Sequence, residues 1–139
     1  MKNLNRGDVY WVNLDPARGS EIRKTRPCVL VGATPINKAR RTVIVVPLSS
    51  SGVLRPPLTV SVNCLGKQAL AVCDQIRAID KTHLVKRAES LGKEDLAELD
   101  KGLRQVLSLW LKKGILRRNC EDYHMPLATS LVIRVYCME

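Results

Sequence analysis

Up to about residue 90 the apolar positions come in short runs of Val, Ile and Leu, cut by Gly, Pro, Asn and Ser. This is how a chain of short strands reads. Strands are predicted over Asp8–Asn13, Pro27–Gly32, Thr42–Pro47, Leu58–Val62, Ala69–Cys73 and Gln75–Ile79. The runs Val29-Leu30-Val31 and Val43-Ile44-Val45-Val46 do not alternate with polar residues, so their strands are expected to be buried on both faces, at the centre of the core. The period then changes. From Lys93 to Leu111, Leu96, Leu99, Leu103, Val106, Leu107, Trp110 and Leu111 line one face of a helix. Glu94 and Asp95 in its first turn and Lys112 and Lys113 after its last suit the macrodipole, and Gly114 is placed to end it. Gly102 inside this helix costs about 1 kcal/mol relative to Ala and marks a close contact. Short strands followed by one amphipathic helix predict a mainly β, α+β domain, a small and strongly bent sheet covered on one side by the helix.

The organisation breaks after the helix. Leu131-Val132-Ile133-Arg134-Val135-Tyr136 reads as a strand, but the residues before it carry no clear period. The expected division is a domain over residues 1–113 and a C-terminal extension of unknown role over 114–139. A length of 139 residues, 45% of them apolar and 26% charged, suits a single soluble domain.

Charge narrows the class of partner. The formal net charge is +10, and all of the excess lies in residues 1–113, which hold 20 basic and 10 acidic side chains. Arg18 to Arg55 alone carries eight basic residues and one acid, Glu21, so a polyanion is expected to meet this stretch. Five cysteines without a Cys-x-x-Cys pair, and only His83 and His124 as imidazoles, suggest buried or incidental thiols in a reducing compartment rather than disulfides or a metal site. The N-terminus lacks the apolar segment of a signal peptide, and no apolar run approaches the roughly 18 residues of a membrane span, so the expected setting is cytoplasmic with no membrane partner.

Four segments carry more specific information. They are Arg6-Gly7-Asp8-Val9-Tyr10-Trp11 with Gly19-Ser20-Glu21, then Thr25-Arg26-Pro27-Cys28-Val29, then Val46-Pro47-Leu48-Ser49-Ser50, and Cys73-Asp74-Gln75-Ile76-Arg77. In this order and spacing the chain, from about residue 5 to 112, resembles the MazF/PemK family of toxin endoribonucleases. The resemblance implies an SH3-like barrel with a C-terminal helix. It also implies a homodimer that cuts single-stranded RNA without metal or cofactor, and a cognate acidic antitoxin that holds it inactive. DNA would be met only through the antitoxin complex. Such cleavage needs no enzymatic nucleophile, because the 2′-hydroxyl attacks its neighbouring phosphate once it is oriented, deprotonated and its transition state neutralised.

Arg26 matches the arginine of the family's Arg-Pro motif, and Pro27 biases it to extended backbone. Ser49 stands where the family usually has threonine, and it and Ser50 can donate to phosphate oxygens. Ser49-Ser50-Ser51 also reads as a plain turn. Asp74 matches the aspartate that some PemK-type members use as a base, and a structural role bonding backbone amides is the alternative. The arginine and histidine that those members add are Val72 and Ser20 here, which moves the reading towards the MazF style. Ser20, Glu21, Ser50 and Gln75 are candidate substrate-binding residues, with Glu21 alternatively balancing Arg23 or Arg26. Arg40 and Arg41 are candidates for steering phosphate, or a solvated loop. Tyr10 and Trp11 are candidates for stacking on bases, and alternation turns one of them inward.

Two rival readings remain. One is a non-catalytic poison of DNA gyrase on the same fold, resembling CcdB. Such proteins end in an apolar Trp-Gly-Ile-type C-terminus, whereas here Trp110 lies within the predicted helix and more chain follows. The other is a nucleic-acid-binding module that does not cleave.

Overall fold

A computed structural model describes residues 4–16, 18–22 and 24–109. The described chain runs β1 (Asp8–Asn13), β2 (Thr25–Leu30), α1 (Thr34–Ala39), β3 (Thr42–Ser49), β4 (Thr59–Cys64) and β5 (Lys67–Val72). A 3-10 turn (Cys73–Gln75), β6 (Arg77–Asp80), a second 3-10 turn (Lys81–His83), β7 (Leu84–Ser90) and α2 (Lys93–Val106) follow. The strands are antiparallel in the order β4-β5-β3-β2-β1-β7, with β6 also paired to β3. On one edge β3 bonds β2; on the other it bonds β6 through Thr42 to Val45 and then β5 through Leu48 and Ser49.

Successive side chains on these strands enter two different cores, as the period of 2 requires. Val9, Val29, Val46, Leu48, Val60 and Val62 form the first with Leu99 and Leu103 of α2. Tyr10, Val12, Cys28, Leu30, Val43, Val45 and Leu84 form the second on the opposite face. The unalternating runs are therefore buried on both faces, with Ile44 the exception at 40% exposure.

Four expectations need correction. The strand predicted over Gln75–Ile79 begins only at Arg77, because the 3-10 turn takes Cys73 to Gln75. Strand β7 escapes the pattern because Leu84 is its one fully buried side chain, and α1 is too short at six residues to show a period. The helix ends at Val106 rather than Leu111. Ser108 takes φ 52°, its N–H donates to the Gln105 carbonyl, and the Leu109 N–H donates to the Arg104 carbonyl at 2.8 Å. This pair of bonds is a Schellman stop with serine where glycine is usual. Trp110, Leu111, Lys112, Lys113 and Gly114, the strand predicted over Leu131–Tyr136, and the extension over 114–139 lie outside the described residues.

Gly102 fulfils the expected close contact. A Cβ there would stand 2.6 Å from Val60 Cγ2 and 3.2 Å from Cys73 Sγ, so the bare glycine lets α2 sit down on β4 and the following turn. A second tie is Asp8, buried at the start of β1. Its Oδ1 accepts from Arg87 Nη2 at 3.0 Å and Ser90 Oγ at 2.5 Å, and its Oδ2 accepts from the Asn5 N–H at 3.0 Å. Burial pushes this carboxyl up, but the bonds from Arg87, Ser90 and Asn5 outweigh it and hold Asp8 below the ordinary aspartate range.

Two outcomes follow. Gly102→Ala should gain about 1 kcal/mol of helix propensity and lose about 1–3 kcal/mol to overpacking against the stiff Val60. The net fall in Tm should be partly recovered by Gly102→Ala combined with Val60→Ala in thermal melts. Because Asp8 titrates lower in the folded than in the unfolded chain, its stabilisation is complete above about pH 4 and is lost as pH falls through the folded-state value. Asp8→Asn should therefore lower Tm at pH 7 and flatten the acid limb of a Tm-against-pH curve.

Candidate functional site

The site grows from the register of β2 and β3. Cys28 pairs with Pro47 and Leu30 with Val45. Beyond that last pair lie Arg26 on β2, two residues before Cys28, and Ser49 on β3, two residues after Pro47, where β3 has turned to pair with β5. On the other side Arg26 pairs with Val12 of β1. By alternation Arg26, Cys28 and Leu30 share a face with Val45, Pro47 and Ser49, the face of the second core. Arg77 joins that face from β6, since it pairs with Val45. The Cys28 thiol is buried on this face, 3.7 Å from the Arg26 carbonyl. Burial pushes it up to about 12 although Arg77 and then Arg26 pull it down, so both guanidinium charges reach this point.

Ser49 is half-buried at the end of β3. Its hydroxyl donates to the Ser51 carbonyl at 2.6 Å and accepts from the Ser51 N–H at 3.3 Å, so the serine turn and the phosphate-donor reading fall on one residue. Ser50 is exposed beside it. Asp74 lies on the 3-10 turn between β5 and β6, exposed, and its carboxylate accepts no hydrogen bond among the described residues.

Ser20 and Glu21 are exposed on the loop between β1 and β2, and Gln75 reaches that loop from the 3-10 turn. The Gln75 Oε1 accepts from the Ile22 N–H at 3.0 Å, and its Nε2 donates to the Ser20 carbonyl at 3.4 Å. Glu21 Oε2 accepts from the Arg18 N–H at 3.2 Å and stands 3.8 Å from Arg77 Nη1. Arg77 is an ion-pair partner of Glu21, and Arg23, one of the partners expected for it, lies outside the described residues. Arg77 itself was missed. Its signal was a charge at a position that alternates inward with Ile79, around the exposed Ala78.

Arg40 and Arg41 are not part of this cluster. They precede β3, whose seven steps from Thr42 to Ser49 span about 23 Å. Tyr10 is buried and cannot stack on a base, while Trp11 is half-buried on the opposite face of β1. His83 sits in the second 3-10 turn, with Nδ1 2.8 Å from the Asn13 carbonyl. The thiols of Cys28, Cys64 and Cys73 are buried and free, as expected of incidental cysteines.

Known proteins resemble this chain in sequence and in fold. The family model for the PemK-like, MazF-like toxin of type II toxin-antitoxin systems matches residues 5–107. Endoribonuclease MazF9 of Mycobacterium tuberculosis is 35% identical over 116 residues, covering 77% of this chain and 98% of that protein. Endoribonuclease PemK of Escherichia coli is 32% identical over 111 residues, covering 76% and 84%. Among solved structures, MazF from Deinococcus radiodurans superposes with a TM-score of 0.68 at 21% identity, over 76% of this chain and 96% of that one. A mycobacterial endoribonuclease in complex with its cognate antitoxin gives 0.65 at 19% identity, again over 76% and 96%. At such identities the structures speak for the fold, a curled antiparallel sheet with a C-terminal helix, and the sequence matches speak for descent. On the sequence matches the chain belongs to the PemK-like, MazF-like toxins of type II toxin-antitoxin systems.

Proposed function

We propose that this toxin is an endoribonuclease that cleaves single-stranded RNA at sequence-defined sites by 2′-hydroxyl attack, without a metal ion, and so stops translation and growth. The observation that carries the reading is that Arg26 and Ser49 each lie two residues beyond the last β2–β3 pair, Cys28 with Pro47, with Asp74 exposed on the turn after β5. Arg26 neutralises the charge that builds on the phosphate and protonates the departing 5′-oxygen. The Ser49 hydroxyl, turned from the Ser51 carbonyl, donates to a phosphate oxygen, and Ser50 adds a second donor. Asp74 is the base or orienter of the 2′-hydroxyl. Ser20 and Glu21 line the approach to the scissile nucleotides. Arg40 and Arg41 meet flanking phosphates, far enough along β3 to need several nucleotides of RNA.

The partners of the family complete the proposal. They are a second copy of the chain in a homodimer, a cognate acidic antitoxin competing for the basic face, and DNA only through the antitoxin complex, in the cytoplasm. The excess of eight basic residues over one acid between Arg18 and Arg55 supports both polyanionic partners. Among the described residues no helix is long and apolar enough to cross a membrane.

The test pairs a single-stranded RNA with its 2′-deoxy counterpart, both in EDTA. The RNA should be cut to a cyclic or 3′-phosphate and a free 5′-hydroxyl, and the deoxy strand should survive. Cleavage of the deoxy strand, or a requirement for added metal, would sink the mechanism. Arg26→Ala should lower kcat by about 10²–10³-fold while RNA binding falls only a few-fold. Loss of affinity alone would point to a binding module instead.

A further inference from the structure

The loop between β1 and β2 is held by two side chains from another part of the sheet. Both backbone polar groups of Ile22 are engaged from there. Its N–H donates to Gln75 Oε1 at 3.0 Å, and its carbonyl accepts from Arg77 Nη2 at 2.7 Å. Gln75 Nε2 reaches the Ser20 carbonyl at 3.4 Å, and Arg77 Nη1 stands 3.8 Å from Glu21 Oε2. Four polar contacts thus fall on three successive loop residues, Ser20, Glu21 and Ile22, while the Ile22 side chain packs on the second core. The rest of the loop is braced within itself: Arg18 bonds Glu21, and the Lys24 N–H donates to Asp15 Oδ1 at 3.2 Å.

This is more than a surface bridge. Arg77 is mostly buried, shares the face of Arg26, and its Nε has no hydrogen-bond partner among the described residues. An unpartnered buried N–H is costly. The guanidinium is therefore set by the fork it makes to the loop, through Nη1 and Nη2, rather than by satisfying all its donors. Both ends of the Gln75 amide and the Arg77 Nη2 are spent on main-chain atoms of the loop that borders the site, and Arg77 Nη1 faces the Glu21 carboxylate.

We propose that Gln75 and Arg77 form a latch that fixes the Ser20–Ile22 segment of the loop leading into Arg26, making both of them positioning residues. This rests on the endoribonuclease reading and deepens it. The latch presents a preformed wall to the RNA, so the ordering of the loop is not charged against substrate binding. It also explains the cost accepted at Arg77 Nε. Neither residue touches the reacting phosphate; their effect passes through the loop.

The experiment has an arm that needs no RNA. Limited trypsinolysis of the full chain, followed by mass spectrometry, measures cutting after Arg18 and Lys24, which flank the latched segment. Gln75→Ala and Arg77→Met should each speed those cuts by about tenfold with rates elsewhere in residues 26–106 unchanged. On a single-stranded RNA both should raise KM by about tenfold and leave kcat within about threefold. Arg77→Lys, which keeps one donor for the Ile22 carbonyl, should recover part of both effects. Unchanged loop cutting in both variants would overturn the latch, as would a fall in kcat at constant KM, which would put Arg77 on the reacting phosphate. Should Arg77→Met fail to fold, faster cutting throughout the domain would reveal it, and Gln75→Ala, which removes no charge, decides the matter. Should the wild type not cut RNA at all, the endoribonuclease reading falls while the proteolysis arm still judges the latch.

Discussion

The architecture depends on β3 having to serve three strands with two edges. One edge is taken by β2, and the other is divided between β6 at the start of the strand and β5 at its end. The chain must therefore leave β5 and re-enter as β6 along a single edge, and the 3-10 turn of Cys73–Gln75 is the means. A continuous strand there would point alternate residues into the two cores. The turn instead lifts Asp74 to the surface and swings Gln75 towards the loop after β1, while Arg77, the first residue of β6, comes back into register beside Val45. The site residues that come from the C-terminal half of the domain thus owe their placement to a pairing constraint on one strand.

The same constraint explains the electrostatics. Two guanidinium groups are brought onto one face around the buried Cys28 thiol. Their mutual repulsion is eased by Glu21, the one acid in a stretch with eight basic residues, which the loop holds close to Arg77. Glu21 is exposed, and a screened surface pair of this kind contributes well under about 1 kcal/mol. Its value is local: it offsets the charge of Arg77 beside the loop.

How much of this was legible in the sequence follows from what each element buries. β1, β2 and β3 were readable because their Val and Leu runs enter cores on both faces, and α2 because Leu96, Leu99, Leu103 and Val106 keep a helical period. β7 was not, since an edge strand with most of its side chains exposed has no apolar alternation to read. The end of α2 was misplaced because the period runs on through Leu107 while the stop is made by Ser108 in a left-handed conformation, which composition does not announce. At the site, Arg26, Ser49 and Asp74 stood out by motif. That Arg26 and Ser49 lie at the same end of the β2–β3 pair is a matter of strand register, and that Gln75 and Arg77 hold Ile22 is a matter of a contact across more than 50 positions in sequence. Neither leaves a local signal.

The two cores also differ in what seals them, and this ties stability to the site. The first is closed by α2, a helix of 14 residues seated on β4 through Gly102. Among the described residues no helix contributes a side chain to the second. It is closed by Leu4, Leu14, Leu84 and the half-buried Ile22, side chains that come from loops and strand ends. Ile22 belongs to the loop that borders Arg26, so this loop contributes at once to burying apolar surface and to shaping the approach for a polyanion. A loop with only the second task could be ordered by its substrate. A loop that also covers a core must be ordered before the substrate arrives, and the bonds from Gln75 and Arg77 to the Ile22 main chain supply that order where a helix does so on the other face.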